Sequence, residues 1–147
     1  MPIESQRENR SAEAVTVLSI SADPAHHAEL QRALSSEWRL RSCAGFLRAL
    51  SELRRSRAPL VLWDCDSMPS SWRGALAKIS FRRNAPSMIL TSRAAGASLW
   101  AEALNLGAWD VLARPFDAAE VSRVLAAALN YDGGPFTADS KAAAAVI

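Results

Sequence analysis

Between Ala58 and Asp66 the chain reads Ala-Pro-Leu-Val-Leu-Trp-Asp-Cys-Asp, an apolar run opened by a proline and stopped by a carboxylate. The run is too short for a helix of ordinary length. Its lack of polar alternation predicts a strand buried on both faces, as at the centre of a parallel sheet. An unpaired carboxylate is costly to bury, and in open α/β sheets the carboxyl ends of the strands are where reaction and ligand sites gather. Asp64 is therefore the first candidate for chemistry. The plain alternative is a strand-ending aspartate that only caps the following loop or helix.

The rest of the chain alternates around this stretch. Ala14 to Ile20, rich in β-branched residues, predicts a first strand, and Asp23-Pro24 marks a helix start with Leu30, Ala33 and Leu34 on its apolar stripe. A weaker strand follows over Trp38 to Cys43. The next helix carries Phe46, Ala49, Leu50 and Leu53 inward and ends in arginines that suit the helix dipole. Beyond Asp64, Trp72, Ala75, Leu76 and Ile79 recur at helical spacing. Ser87 to Ser92 predicts a fourth strand, Ala97 to Leu106 a helix closed by Gly107, and Trp109 to Ala113 a fifth strand. Asp117 then caps a last helix with Val121, Val124, Leu125 and Ala128 inward.

Five such strand–helix pairs predict an α/β domain: a doubly wound, five-stranded parallel sheet in the order 2-1-3-4-5, flavodoxin-like, with helices on both faces in three layers. Residues 14–130 form this domain, with a leader over 1–13 and a tail over 131–147. At 147 residues, half of them hydrophobic and with a formal net charge of +2, the chain is expected to fold as one globular domain. It carries no apolar run of membrane-spanning length and no export signal, so a cytoplasmic protein without membrane contact is expected. Cys43 and Cys65 lack metal-ligand spacing and are expected as free thiols.

Polar residues end several strands at one edge: Ser21 to Asp23, Asp64 with Asp66, and Thr91 with Ser92, while Arg114 follows the fifth. A carboxylate, a hydroxyl and a cation in one cleft describe a site for a phosphoryl group on or near Asp64. No glycine-rich phosphate loop follows any strand, which disfavours a nucleotide- or flavin-binding protein.

From Ala14 to Asn130 the chain resembles the receiver domains of two-component response regulators. The matching pieces are Leu62-Trp63-Asp64, Met68-Pro69, Ile89-Leu90-Thr91-Ser92, Gly107 to Leu112, and Arg114-Pro115-Phe116. The resemblance implies a non-enzymatic signalling protein in a phosphorelay. Asp64 would be the phosphoacceptor, Thr91 the strand-four hydroxyl, and Arg114 would stand where the family has lysine. Its partners would be a histidine kinase or phosphotransfer protein, and a downstream protein target or a second copy bound through the fourth helix, fifth strand and fifth helix.

Four departures qualify what the resemblance implies. The family's Mg²⁺-holding acidic pair falls on Ser21 and Ala22, leaving Asp23, Asp64 and Asp66 as ligands of a weakened Mg²⁺ site. One extra residue separates Asp64 from Met68-Pro69, and a forked arginine replaces an ammonium at position 114. The aromatic switch position falls on Val111, with Trp109 expected on the same side of the strand. The alternative function is a phosphorylation-independent pseudo-receiver acting as a binding or dimerisation module.

The remaining features take plainer readings. His26 and His27 are expected to be exposed surface residues, and Trp72 and Trp100 helix-packing residues, Trp100 with scope to anchor a partner. Arg54, Arg55, Arg57, Arg82 and Arg83 read as a solvated surface and not as a nucleic-acid site.

Overall fold

The computed structural model describes residues 14–56, 58–80 and 85–130; the leader, the tail, Arg57, Arg82 and Arg83 lie outside the described residues. The elements alternate as the periodicity predicts. The strands are β1 (Val15–Ile20), β2 (Trp38–Cys43), β3 (Leu60–Asp64), β4 (Ser87–Ser92) and β5 (Asp110–Ala113). The helices are α1 (Pro24–Ala33), α2 (Phe46–Ser56), α3 (Trp72–Ser80), α4 (Ala97–Asn105) and α5 (Ala118–Leu129). All four strand pairings are parallel, and the order is β2-β1-β3-β4-β5, as expected.

Alternation along each strand divides the core in two. Leu18, Ile20, Val61, Trp63, Met88 and Leu90 pack with Ala49 and Leu53 of α2, Trp72, Leu76 and Ile79 of α3, and Ala103 of α4. On the other face, Val17, Leu60, Leu62, Ile89 and Leu112 meet Leu30 of α1 and Val121, Val124 and Leu125 of α5. Every residue of β3 is buried, the mark of a central parallel strand. Cutting Leu62 to alanine there removes contacts on a fully buried face and costs roughly 2–5 kcal/mol. β2 lies at the sheet's edge, where Arg39 and Arg41 are exposed, and charged side chains on an edge discourage further pairing.

The helix ends follow local chemistry. Asp23 caps α1 by accepting from the Ala25 amide, with Pro24 in the first turn, and Asp117 caps α5 by accepting from the Glu120 amide. After α4, Gly107 adopts φ of 105° while the Ala108 and Gly107 amides donate to Ala103 and Leu104. That double bond is a Schellman closure, and its left-handed residue favours glycine. The Arg114–Pro115 peptide is cis.

One packing expectation fails. Trp109 precedes β5 rather than lying within it, so strand alternation does not extend to it. Its ring packs with Leu112 in the layer of α1 and α5, whereas Val111 packs on the opposite face. Trp72 is buried as a helix-packing residue. Among the described residues no helix is long and apolar enough to cross a membrane.

Candidate functional site at the carboxyl edge of the sheet

The register brings the site together. Asp64 ends β3 directly beside Thr91 of β4, and β1 runs into Ser21 on the other side of β3. Strand parity aims Ser19, Ser21, Asp64 and Thr91 towards the layer that holds α1 and α5, and all four are buried. The loop after β5 contributes Arg114, also buried.

Both oxygens of the Asp64 carboxylate are engaged. Oδ2 accepts from the Ser21 hydroxyl at 2.7 Å, and Oδ1 accepts from the Asp66 amide at 2.9 Å and lies 3.5 Å from Arg114 Nη1. Burial pushes this carboxyl up, but the hydroxyls of Ser21 and Ser67, together with His26 and the Asp66 amide, outweigh it and hold the group below its ordinary value. Ser67 sits in the lengthened loop after β3, where its hydroxyl lies 3.3 Å from that of Ser21 and accepts from the Ala22 amide.

Arg114 is the hub of a wider ionic cluster. Nη1 donates to Asp66 Oδ2 at 3.0 Å and Nη2 to Glu29 Oε2 at 2.9 Å. Burial weakens its hold on the proton, yet Glu29, Asp64 and Asp66 more than compensate and push its pKa above the ordinary value. Asp66 also accepts from the Ser92 hydroxyl and the Arg93 amide. Glu29 and Phe116 help line a pocket of about 260 Å³ together with Arg32 and Pro115.

Beneath these ions runs a chain of hydroxyls and imidazoles. The Ser21 carbonyl can only accept, so His27 Nε2 donates to it at 3.2 Å, while Nδ1 lies 2.9 Å from the Ser19 hydroxyl. Ser19 also lies 3.3 Å from His26 Nδ1, and His26 Nε2 lies 2.7 Å from the Thr91 hydroxyl, which donates to the Trp63 carbonyl at 3.3 Å. The Thr91 hydroxyl is thus engaged by an imidazole and a main-chain carbonyl and not by Asp64. His26 is fully buried, and its pKa falls to about 4, chiefly through burial, with Arg114 and His27 adding to the fall.

The structure brings together Asp64, Thr91, Arg114 and Asp66, all singled out in the sequence. Asp23 is drawn off to cap α1, its Oδ1 accepting from the Ala25 amide at 3.0 Å. The histidines correct the expectation of exposed surface residues: His26 is wholly enclosed and His27 half-buried. A signal existed, because His26, Leu30 and Ala33 share one helical stripe, so extending the apolar face back one turn reaches the ring. Glu29 and Ser67 were also missed. Glu29 is found only through its distance from Arg114, which lies 85 positions away.

Receiver-type chemistry implies Mg²⁺, which needs several oxygen ligands in an octahedron. The carboxylates here are committed to a guanidinium, hydroxyls and amides, and Asp23 is turned to its helix. Among the described residues no group of three or more His, Cys, Asp or Glu side chains is placed to hold a metal ion. This donor set does not fit a Mg²⁺ site.

No family model matches the sequence, and no curated protein matches it. Solved structures do match. The signal receiver domain of an HD domain-containing protein from Pseudomonas fluorescens Pf-5 superposes with a TM-score of 0.68 at 24% identity, over 80% of this chain and 95% of that one. A response regulator from Thermotoga maritima gives 0.68 at 18% identity, over 77% and 98%. The chain has the receiver fold. A chemotaxis response regulator of Vibrio cholerae extends the likeness, with a TM-score of 0.63 at 14% identity over 77% and 97%. Asp64, Thr91 and Arg114 meet at the carboxyl edge of this sheet.

Proposed function

We propose that this chain is a cytoplasmic receiver-type signalling module that works through protein contacts, with its carboxyl-edge site resting closed around Asp64. The observation that carries this reading is the 2.7 Å hydrogen bond from Ser21 to an Asp64 carboxylate of zero exposure. An acceptor carboxylate needs one oxygen free to attack phosphorus, with cationic charge placed to neutralise the oxygens of the incoming group. Here one oxygen is held by a hydroxyl, the other by an amide and a guanidinium. The absence of a second carboxylate at Ser21 or Ala22 points the same way. Output would pass through the face of α4, β5 and α5, where Trp100 is 39% exposed and Leu106, just past α4, is 49% exposed.

A second reading keeps Asp64 as the phosphoacceptor of a relay fed by a histidine kinase or phosphotransfer protein. It is favoured by the register that sets Asp64 beside Thr91, with Arg114 3.5 Å from the carboxylate. One experiment separates the two: incubation with acetyl phosphate and Mg²⁺, followed by intact-mass measurement. The closed-site reading expects no phosphorylated species from the unmodified protein. It also expects a gain for Ser21→Asp with Ala22→Asp, and loss of that gain on adding Asp64→Asn. Labelling of the unmodified protein as fast as a working receiver run alongside would overturn it and leave the relay reading in place.

A further inference from the structure

We propose that Arg114 is the site's built-in cation, doing by charge and hydrogen bonding what a divalent ion would otherwise do for the carboxylates at this edge, and thereby excluding such an ion. The inference rests on the closed-site reading above and deepens it.

The argument begins with charge. Asp64, Asp66 and Glu29 converge from the end of β3, the loop after it and α1. Asp64 is fully buried, and the side chains of Asp66 and Glu29 are only 24% and 29% exposed. Carboxylates gathered in this way repel one another and lose hydration unless a cation lies among them. The Arg114 side chain is 0% exposed and lies among all three, 3.5 Å from Asp64, 3.0 Å from Asp66 and 2.9 Å from Glu29.

Geometry makes an arginine suited to this place. A planar guanidinium presents donors in a fixed fork, so one side chain can serve carboxylates lying in different directions. Nη1 is shared by the two aspartates while Nη2 faces Glu29. An ammonium is a compact point charge on a flexible stem and has no such fork. Hydroxyls and amides complete the shell: Ser21 on Asp64, and Ser92 with the Arg93 amide on Asp66. A hydroxyl at position 21 serves as a neutral donor to Asp64, whereas a carboxylate there would add a charge for the single guanidinium to offset.

Mn²⁺ is the probe, read in two ways. In ¹H–¹⁵N spectra of the unmodified protein, Mn²⁺ is expected to produce no selective broadening of the Asp64, Cys65 and Asp66 amides; selective broadening there overturns the proposal. In Arg114→Met, which keeps an unbranched apolar stem and removes the guanidinium, Mn²⁺ is expected to raise Tm by several degrees while leaving the unmodified protein's Tm unchanged. A folded Arg114→Met without this dependence overturns it. Should that variant not fold with or without Mn²⁺, Arg114→Lys decides: selective broadening in the lysine variant supports the proposal, and none overturns it. Failure here is distinct from failure of the closed-site reading. Labelling of Asp64 by acetyl phosphate without Mn²⁺ or Mg²⁺ sinks only that reading, and Mn²⁺ binding to an unlabelled protein sinks only this one.

Discussion

The Ser21 hydroxyl donates to Asp64 across 43 positions of sequence, at 2.7 Å and out of solvent, joining the end of β1 to the end of β3. Ser21→Ala removes this donor and leaves a buried carboxylate oxygen short of a partner. The expected cost is roughly 1–3 kcal/mol in chemical denaturation at neutral pH. Because Asp64 is held below its ordinary value, its contribution to stability is present above that value and lost as pH falls through the folded pKa. Ser21→Ala should move that loss to higher pH, and an acid titration followed by tryptophan fluorescence checks it.

His26 shifts in the same direction, though it ends neutral where Asp64 ends charged. Its pKa drops from 6.5 to about 4 on folding, so between those values the unfolded chain binds the extra proton. Stability therefore rises with pH across that window and falls on acidification. The full contribution is on the order of 3 kcal/mol at 1.36 kcal/mol per pKa unit. His26→Gln, which cannot take up that proton, should flatten the dependence of Tm on pH between about pH 6.5 and 4. An unchanged slope would remove His26 as its source.

The two thiols should be inert. Burial raises both, and Cys65 is pushed up to about 12 with Asp64 and Asp66 adding to the effect. At neutral pH neither holds an appreciable thiolate fraction. Native protein is expected to react with a thiol-directed disulfide reagent far more slowly than protein in denaturant, and equal rates would contradict the burial described.

The two tryptophans near the α4–β5–α5 face should behave differently. Trp109, 5% exposed within the α1–α5 layer, is expected to cost roughly 3–5 kcal/mol when cut to alanine. Trp100→Ala should leave the fold intact and weaken self-association or partner capture. Light scattering that shows a monomer at every concentration, with no partner sensitive to Trp100, would remove this face from the proposal.

The architecture was legible because its signals are local. Unbroken apolar runs, capping aspartates and a glycine after α4 each carry their cause within a few residues. The site was legible only where strand ends determine it: Asp64 and Thr91 follow from strand polarity alone. His26 was misread because the apolar stripe of Leu30 and Ala33 was not carried back one turn, to where a polar ring continues it. Glu29 joins the site through a pairing that depends on how α1 settles on the sheet, which no spacing encodes. Trp109 was assigned to the wrong face because alternation was counted one residue beyond the start of β5.

Outside the site, Arg73 of α3 grips Glu102 of α4 through two bonds of 2.6 and 2.7 Å while lying over the Trp72 ring. Both side chains are nearly half exposed, so dissolved ions reach the pair and weaken it. α4 is thus clasped to its neighbour from the solvent side, while Ala103 is its one fully buried residue. Its freedom to shift is a property of the surrounding electrolyte as much as of the fold: stiff in dilute buffer, looser in brine, with amide exchange along α4 quickening as salt rises while β3 stays silent.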